Sequence, residues 1–176
     1  MNMDHQQLLK TFRKKLLSDC STSLISCDYG LDDIKKIIPH REPFLLIDHI
    51  SGIDLENEII CGSKNCPAND PVFAGHFPDF PAYPGTLQAE AVGQMGICLC
   101  YFLANRTTKI PSRQKTQRVR ATKLLGAHFL EPVVPGSLMK LVSRRLQADA
   151  YFETYIGQVI VDQKICSIGI GEICVL

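Results

Sequence analysis

The last third of the chain has the hydrophobic pattern of β-strands almost throughout. Short polar breaks at Glu131-Pro132, Ala148-Asp149 and Asp162-Gln163 divide it. Breaks of this length usually join neighbouring antiparallel strands, so the pattern predicts successive hairpins. The four predicted strands are Val119–Leu130, Gly136–Ala148, Tyr151–Val161 and Lys164–Val175.

One long segment before these strands is apolar on nearly every side of a helix. It runs from Leu87 to about Leu103 and contains small residues, such as Gly93 and Gly96, that let other backbone approach closely. A helix without a polar face is normally buried. Two further strands are predicted upstream, at 43–50 and 58–64. The predicted fold class is therefore α+β, with an antiparallel sheet wrapped around the helix.

The first 28 residues are predicted to be an extension, and residues 29–176 the main domain. Over 3–18, Leu8, Phe12 and Leu16 share one helical face, while basic residues lie elsewhere around the helix. Residues 18–27 have the polar composition of a linker. The helix either binds a membrane surface or a partner, or docks on its own domain; its shortness favours docking. A second helix, over 31–38, ends before Pro39.

Composition and charge exclude several classes of function. The chain has 176 residues, 45% of them hydrophobic, and a net charge of +1, which fits a single domain with no general affinity for polyanions. No apolar run reaches the ~18 residues that a membrane span requires. The N-terminus lacks the layout of a secretory signal. We favour a cytoplasmic location over a basic transit peptide.

The eight cysteines predict free thiols. They form no Cys-x-x-Cys motif, and no histidine lies at zinc-finger spacing. Cys98 and Cys100 fall in the apolar helix, and Cys166 and Cys174 in predicted strands, where a thiol acts as a small hydrophobic side chain. We therefore expect a reducing compartment, without structural metal or disulfide bonds.

The candidate chemistry lies where a proline-rich loop enters the apolar helix. His76 is in that loop, and Glu90 follows fourteen residues later as the acid of the helix, one turn before Gln94. Alone, His76 is typical of a structural loop histidine, and Glu90 equally of an exposed acid near a helix start. Together, a histidine and a carboxylate in one rigid segment indicate proton transfer near neutral pH.

Three ordered motifs resemble the β-hydroxyacyl-acyl-carrier-protein dehydratases of the FabZ type. Ile37 to Asp48 resembles the opening of that family, and Phe129 to Gly136 a later stretch. Between them, Gly75-His76-Phe77-Pro78, Pro84-Gly85, Glu90-Ala91 and Gln94 resemble its active-site motif, with the spacing of histidine and acid intact. The resemblance covers about residues 31–175.

This resemblance implies a fold, an assembly and a reaction. The fold is the hot-dog, and the assembly a homodimer with shared active sites, possibly a trimer of dimers. The reaction removes water from a (3R)-3-hydroxyacyl thioester on acyl carrier protein to give a trans-2-enoyl thioester. His76 is implied as the base and Glu90 as the acid, while the amide of Gly85 binds the thioester carbonyl. Neither a metal nor an organic cofactor is implied.

The motif departs from the family pattern beside the catalytic positions. Asp79-Phe80 replaces a Gly-Asn pair, Tyr83 replaces methionine, and Thr86 replaces an apolar residue. These positions lie near the mouth and walls of the expected acyl tunnel, so acyl preference and pathway are open. The residues implied to line the tunnel are Phe77, Phe80, Tyr83 and Gln94.

A basic stretch follows the helix. A solvated face is the common role of such a stretch, and docking of an acidic acyl carrier protein is the functional alternative. Nucleic-acid binding is disfavoured because no helix-turn-helix or aromatic-interleaved motif accompanies it. The docking candidates are Lys109, Arg113, Lys115, Arg118 and Arg120.

Two other functions fit a hot-dog chain. A thioesterase would hydrolyse similar substrates using a carboxylate to direct water, and retention of His76 argues against it. A non-catalytic acyl-binding protein would not need the pair of His76 and Glu90. Release of a free thiol would identify the first alternative.

Overall fold

A computed structural model describes residues 4–20, 24–113 and 115–176. Within those residues the backbone forms a seven-stranded sheet in the order β1-β2-β3-β5-β6-β7-β4, and all neighbouring strands are antiparallel. The strands are β1 Ile25–Tyr29, β2 His49–Asp54, β3 Ile59–Asn65, β4 Val119–Phe129, β5 Leu138–Ala148, β6 Phe152–Val161 and β7 Lys164–Val175.

The sheet curls around the long helix predicted from the sequence. This helix, α4, spans Gly85–Asn105 and packs against β3, β5, β6 and β7. Met95, Leu99 and Phe102 are completely buried between helix and sheet, as expected for a helix without a polar face. The shorter helices are α1 His5–Phe12, α2 Leu31–Ile37 and α3 Pro71–Gly75.

Glycines allow the close packing of α4 on the sheet. A Cβ atom at Gly96 would lie 3.0 Å from the ring of Tyr155, and one at Gly157 would lie 2.6 Å from Val92. Both distances are too short for ordinary van der Waals contact. Gly96 therefore allows a close approach, but of the Tyr155 side chain rather than of sheet backbone, and a Cβ atom at Gly93 would meet nothing within 4 Å.

α4 also bears on the question of a membrane span. It is 21 residues long and apolar enough, by length and composition, to cross a membrane, which differs from the expectation that no apolar run reaches about 18 residues. However, 67% of its most apolar window is buried inside the protein. This is the environment of a core helix rather than of a lipid-exposed one.

The predicted hairpin between the first two C-terminal strands is wrong. β4 pairs with β7 and forms an edge of the sheet, whereas β5 pairs with β3 and β6. The segment between β4 and β5 does not form a turn. It is held instead by two backbone hydrogen bonds, in which Tyr83 N donates to Val133 O over 2.7 Å and Gly136 N donates to Cys66 O over 2.7 Å. The other two predicted hairpins are present as β5–β6 and β6–β7.

The predicted strand over 43–50 is also wrong for most of its length. Only its last two residues belong to a strand, β2. Leu45, Leu46 and Ile47 are buried, but the amide of Leu46 donates to the side chain of Gln94 over 2.8 Å rather than to a neighbouring strand. Hydrophobicity therefore indicated burial correctly here, but not secondary structure.

The N-terminal extension docks on the face of the sheet opposite α4. The helix within it is shorter than predicted, and Leu9 packs in a cluster with outward-facing strand residues such as Ile168. The buried Gln158 side chain donates to Phe12 O and Lys15 O and accepts from Leu17 N. The docking alternative is thus confirmed. Leu8 and Phe12 of the predicted apolar face pack against this cluster, whereas Leu16 lies beyond α1 and is exposed.

Two details of the extension differ from the sequence-based expectation. Part of the predicted linker is strand β1, so the expected boundary at residue 28 falls inside a strand, while residues 1–3 and 21–23 lie outside the described residues. Cys20 and Cys61 form a disulfide, which contradicts the expectation of eight free thiols. Docking brings these two residues together although they are 41 apart in sequence, which no local motif could indicate.

The remaining cysteines are free. Burial raises the pKa of the Cys66 and Cys100 thiols to about 12, so both stay protonated at neutral pH. Of the thiols predicted to act as small hydrophobic side chains, Cys98 and Cys166 are buried, whereas Cys100 Sγ also accepts a hydrogen bond from Gln117 Nε2 over 3.0 Å.

Candidate functional site

The loop before α4 holds His76 in a defined tautomer. His76 Nδ1 lies 2.8 Å from the carbonyl oxygen of Ala82, and Ala82 N donates to His76 O over 2.8 Å. A carbonyl oxygen can only accept, so Nδ1 carries the proton of the neutral ring. Nε2 then has a lone pair, and this nitrogen can remove a proton from a ligand.

Aromatic residues surround this histidine. The peptide bond between His76 and Phe77 is cis, and their rings stack with centroids 4.0 Å apart. Phe77 and Phe80 are 52% and 61% exposed, so both predicted tunnel residues lie on the surface of a single chain. Tyr83 is buried edge-on against Phe73.

Gly85 begins α4 immediately beside the aromatic ring of Phe129. A Cβ atom at Gly85 would lie 2.6 Å from that ring, so only glycine permits the contact. The first amides of an α-helix lack intrahelical partners and carry the positive end of its dipole. The Gly85 amide therefore belongs to a region that favours a ligand oxygen with developing negative charge.

Glu90 lies in a hydrogen-bond network on the next turns of α4. The buried Gln94 amide donates to Glu90 Oε1 over 2.9 Å and to Phe44 O over 2.9 Å. Gln94 thus links the acid to the segment that precedes β2. The side chain of Glu90 is 33% exposed.

Two cavities flank the start of α4. One, of about 440 Å³, lies between α4 and strands β4, β6 and β7, and is lined by Glu90, His40 and Ser143 among others. The other, of about 480 Å³, is lined by His76, Gly85, Tyr83 and Phe129 among others. Thr86 lines both cavities.

A single chain separates the predicted base from the predicted acid. His76 and Gly85 share one cavity, while Glu90 lies in the other. We call them the histidine cavity and the acid cavity. Of the other predicted tunnel residues, Tyr83 lines the histidine cavity and Gln94 is buried behind Glu90.

The basic stretch lies between α4 and the start of β4. All five of its predicted docking residues are exposed: Lys109, Arg113, Lys115, Arg118 and Arg120. Within the described ranges, no group of three or more histidine, cysteine or acidic side chains is arranged to hold a metal ion.

Sequence reasoning missed three residues at these cavities. His40 Nε2 lies 3.6 Å from Glu90 Oε1, Phe129 packs on Gly85, and the buried Ser143 hydroxyl lines the acid cavity. His40 and Phe129 both lie in motifs that carry the family resemblance. Ser143 lies in an ordinary strand pattern and had no signal in the sequence.

Comparisons with known proteins agree with this architecture. The FabA-like domain family matches residues 38–168. A 3-hydroxyacyl-acyl-carrier-protein dehydratase FabZ of Chlamydia muridarum is 37% identical over 80% of this chain and 88% of its own length. Proteins of the same name from Solibacter usitatus and Sinorhizobium fredii are 35% and 34% identical, covering 75% and 90% of this chain and 76% and 97% of their own lengths.

Solved structures show the same fold at low sequence identity. A chain of a dehydratase heterocomplex from Xenorhabdus doucetiae aligns with a TM-score of 0.57 and 13% identity, over 81% of this chain and 90% of its own. A thioesterase of Haemophilus influenzae aligns with a TM-score of 0.53 and 12% identity, over 76% and 80%. These likenesses confirm the hot-dog fold. With the family match and the identities above, they establish that the chain belongs to the FabZ family of FabA-like dehydratases.

Proposed function

We propose that this protein converts (3R)-3-hydroxyacyl thioesters on acyl carrier protein into trans-2-enoyl thioesters. The observation that best supports this reaction is the bond from His76 Nδ1 to Ala82 O, which leaves Nε2 as a base beside the start of α4. Dehydration needs such a base for the C2 proton, which is acidified by the neighbouring thioester carbonyl.

The proposed reaction balances with two groups that transfer protons, His76 and Glu90. His76 Nε2 takes the C2 proton, and the C2 electron pair moves towards the thioester carbonyl. Protonated Glu90, directly or through a water, then gives a proton to the departing C3 hydroxyl, and water leaves. The double bond forms between C2 and C3, and the enzyme regains its state by proton exchange with solvent.

Gly85 would stabilise the intermediate charge. Its amide lies at the positive end of a helix of 21 residues, and it has no side chain to block a thioester oxygen. Removing one preorganised donor of this kind costs about 10²–10³ in kcat in other enzymes. The amide should therefore matter for turnover more than for binding.

The active sites are proposed to be shared between two copies of the chain. His76 and Glu90 line different cavities of one chain, which supports pairing of His76 with Glu90 of the partner subunit. β4 is an edge strand whose Leu124 is 64% exposed, so it suits pairing with a second copy. A trimer of such dimers is the larger assembly that the family resemblance implies.

The remaining assignments follow from this reaction. We propose that the exposed basic stretch docks the acidic carrier protein by charge complementarity. The family match supports a main dehydratase domain of residues 29–176, with residues 1–28 as a docked extension. Soluble acyl-carrier-protein substrates would place the enzyme in the cytoplasm.

The proposed reaction can be tested by direct turnover. A series of 3-hydroxyacyl-acyl-carrier-protein substrates is incubated with the enzyme, and enoyl formation and rehydration are followed by absorbance. We expect turnover by the intact protein and loss of turnover in His76→Ala and Glu90→Gln variants that remain folded. Release of free thiol without enoyl product would instead indicate a thioesterase. The chain-length profile would reveal the effect of Asp79, Phe80 and Tyr83.

A further inference from the structure

His40 occupies an unusual position for a residue with no assigned role. It follows α2 and lines the acid cavity, and its Nε2 lies 3.6 Å from Glu90 Oε1. Its other ring nitrogen, Nδ1, is buried and has no hydrogen-bond partner among the described residues. A half-buried ring with one unsatisfied nitrogen is costly, so stability alone does not explain a histidine here.

The side chain of Arg41 fixes the backbone around His40. The guanidinium of Arg41 donates to Ile38 O over 3.0 Å, to His40 O over 2.6 Å and to Lys35 O over 3.0 Å. These bonds cap the end of α2 and fix the chain at His40. The ring also stacks on Phe44, with centroids 6.4 Å apart.

The same segment is tied to Glu90 from the other side. The Gln94 side chain hydrogen-bonds to Phe44 O, Leu46 N and Glu90 Oε1. The same side-chain amide therefore holds both Glu90 and Phe44, the residue on which His40 stacks. Oε1 of Glu90 therefore faces both the Gln94 amide and the His40 ring. Oε2 is the oxygen left for a ligand.

We infer that His40 is a positioning residue for Glu90, and that its neutral ring is what allows Glu90 to act as an acid. This inference deepens the proposed function and rests on it for the role of Glu90. A cation beside Glu90 would hold it as a carboxylate, which cannot donate the proton that the leaving hydroxyl needs. A neutral imidazole orients the side chain without that effect.

The surroundings of His40 favour its neutral form. Burial lowers the pKa of His40, and this effect outweighs the opposing attraction of Glu90, while nearby Arg41 lowers the pKa further. The ring is therefore neutral at pH 7 and gains its proton only in more acidic solution. Among the described residues, the charged groups that face it are Glu90 on α4 and the neighbouring Arg41, and the Lys123–Glu172 ion pair lines the same cavity.

Two substitutions separate charge from shape. His40→Asn keeps a neutral polar side chain at every pH, and His40→Lys places a permanent cation beside Glu90. We expect His40→Asn to lower kcat less than about 10-fold, and His40→Lys to lower it about 100-fold or more with little change in KM, because the acid function is lost. Equal activity of the two variants would overturn the inference, as would activity of His40→Lys above that of His40→Asn.

A second measurement does not depend on turnover. The titration of the Glu90 carboxyl group is followed by carbon NMR in the His40→Asn and His40→Lys variants of the full-length protein. Because a cation beside a carboxyl group stabilises its ionised form, we expect the Glu90 midpoint to lie at lower pH in His40→Lys than in His40→Asn. Glu58, which pairs with Arg145 and lines neither cavity, is the internal control and should titrate alike in both variants.

The two measurements distinguish the possible failures. A Glu90 midpoint that is the same in both variants contradicts the inference, whether or not the enzyme turns over its substrate. A wild-type protein without dehydratase activity, but with the expected difference in the Glu90 midpoint, would contradict the proposed function and leave the coupling of position 40 to Glu90 established.

Discussion

The amide of Gln94 donates to Glu90 Oε1 over 2.9 Å, one helical turn away, and so fixes the acid from within α4. The same side chain holds the segment before β2 through Phe44 O and Leu46 N. Gln94 is completely buried, and its three hydrogen bonds hold Glu90 and the segment before β2. The acid and the segment that bears His40 are thus parts of one hydrogen-bonded unit.

Replacement of Gln94 by leucine should damage stability and turnover together. The substitution leaves Leu46 N and Phe44 O without their partner, and each buried unsatisfied group costs about 1–3 kcal/mol. We expect the free energy of unfolding to fall by about 2–5 kcal/mol. Urea unfolding measures this. Gln88→Leu, at another buried glutamine of α4, removes only the bond to Tyr83 O and should therefore cost less than Gln94→Leu. An unchanged midpoint in Gln94→Leu would contradict this account of the network.

Gly85 and Phe129 should show strong coupling in a double-mutant cycle. Gly85→Ala places a Cβ atom 2.6 Å from the Phe129 ring, and overpacking of this kind costs about 1–3 kcal/mol. Phe129→Ala removes the ring, so the alanine at position 85 should be much less harmful in that background. If the loss of stability in the double variant equals the sum of the losses in the two single variants, the two residues do not contact each other as described.

The extension should be released by a change at Gln158. Its side chain makes three bonds to the backbone of the extension, at Phe12, Lys15 and Leu17. We expect Gln158→Leu to increase hydrogen exchange of the Leu17 amide and cleavage by proteases within the extension. Thr154→Val is the control, because Thr154 lies on the same strand and makes none of these three bonds. Unchanged protection in Gln158→Leu would mean that the apolar contacts of Leu9 suffice for docking.

The disulfide should stabilise the folded protein by constraining the extension. It joins residues 41 apart, for which the chain-entropy relation gives about 4 kcal/mol. Reduction with a dithiol should therefore lower the unfolding midpoint of the wild-type protein and leave that of Cys20→Ser unchanged. Alkylation before and after reduction should reveal two additional thiols. Eight reactive thiols in the unfolded but unreduced protein would contradict the bond.

The sequence predicted those features that depend on local pattern. The uniform apolar character of α4 identified the central helix and its burial, and the breaks at Ala148-Asp149 and Asp162-Gln163 identified two hairpins correctly. The loop of His76 and the helix of Glu90 were recognised because each lies within one short segment. Local pattern was sufficient wherever the partners of a residue are close in sequence.

Features that depend on distant contacts were not predictable. β4 pairs with β7 rather than β5, because the segment between β4 and β5 bonds to Tyr83 and Cys66 instead of turning. Residues 45–47 are buried in the main hydrophobic core, with the Leu46 amide bonded to Gln94, and their hydrophobicity resembled that of a strand. His40 reaches Glu90 only after α2 and α4 have packed, fifty residues apart in sequence.

Complementation between two inactive variants tests the central claim most directly. If His76 acts with Glu90 of the partner subunit, His76→Ala and Glu90→Gln homodimers are both inactive, but each mixed dimer contains one intact pair. Mixing by joint refolding at equal amounts should then restore about a quarter of wild-type dehydratase activity, since half of the dimers are mixed and each has one working site. Activity no greater than that of the separate variants would contradict shared active sites.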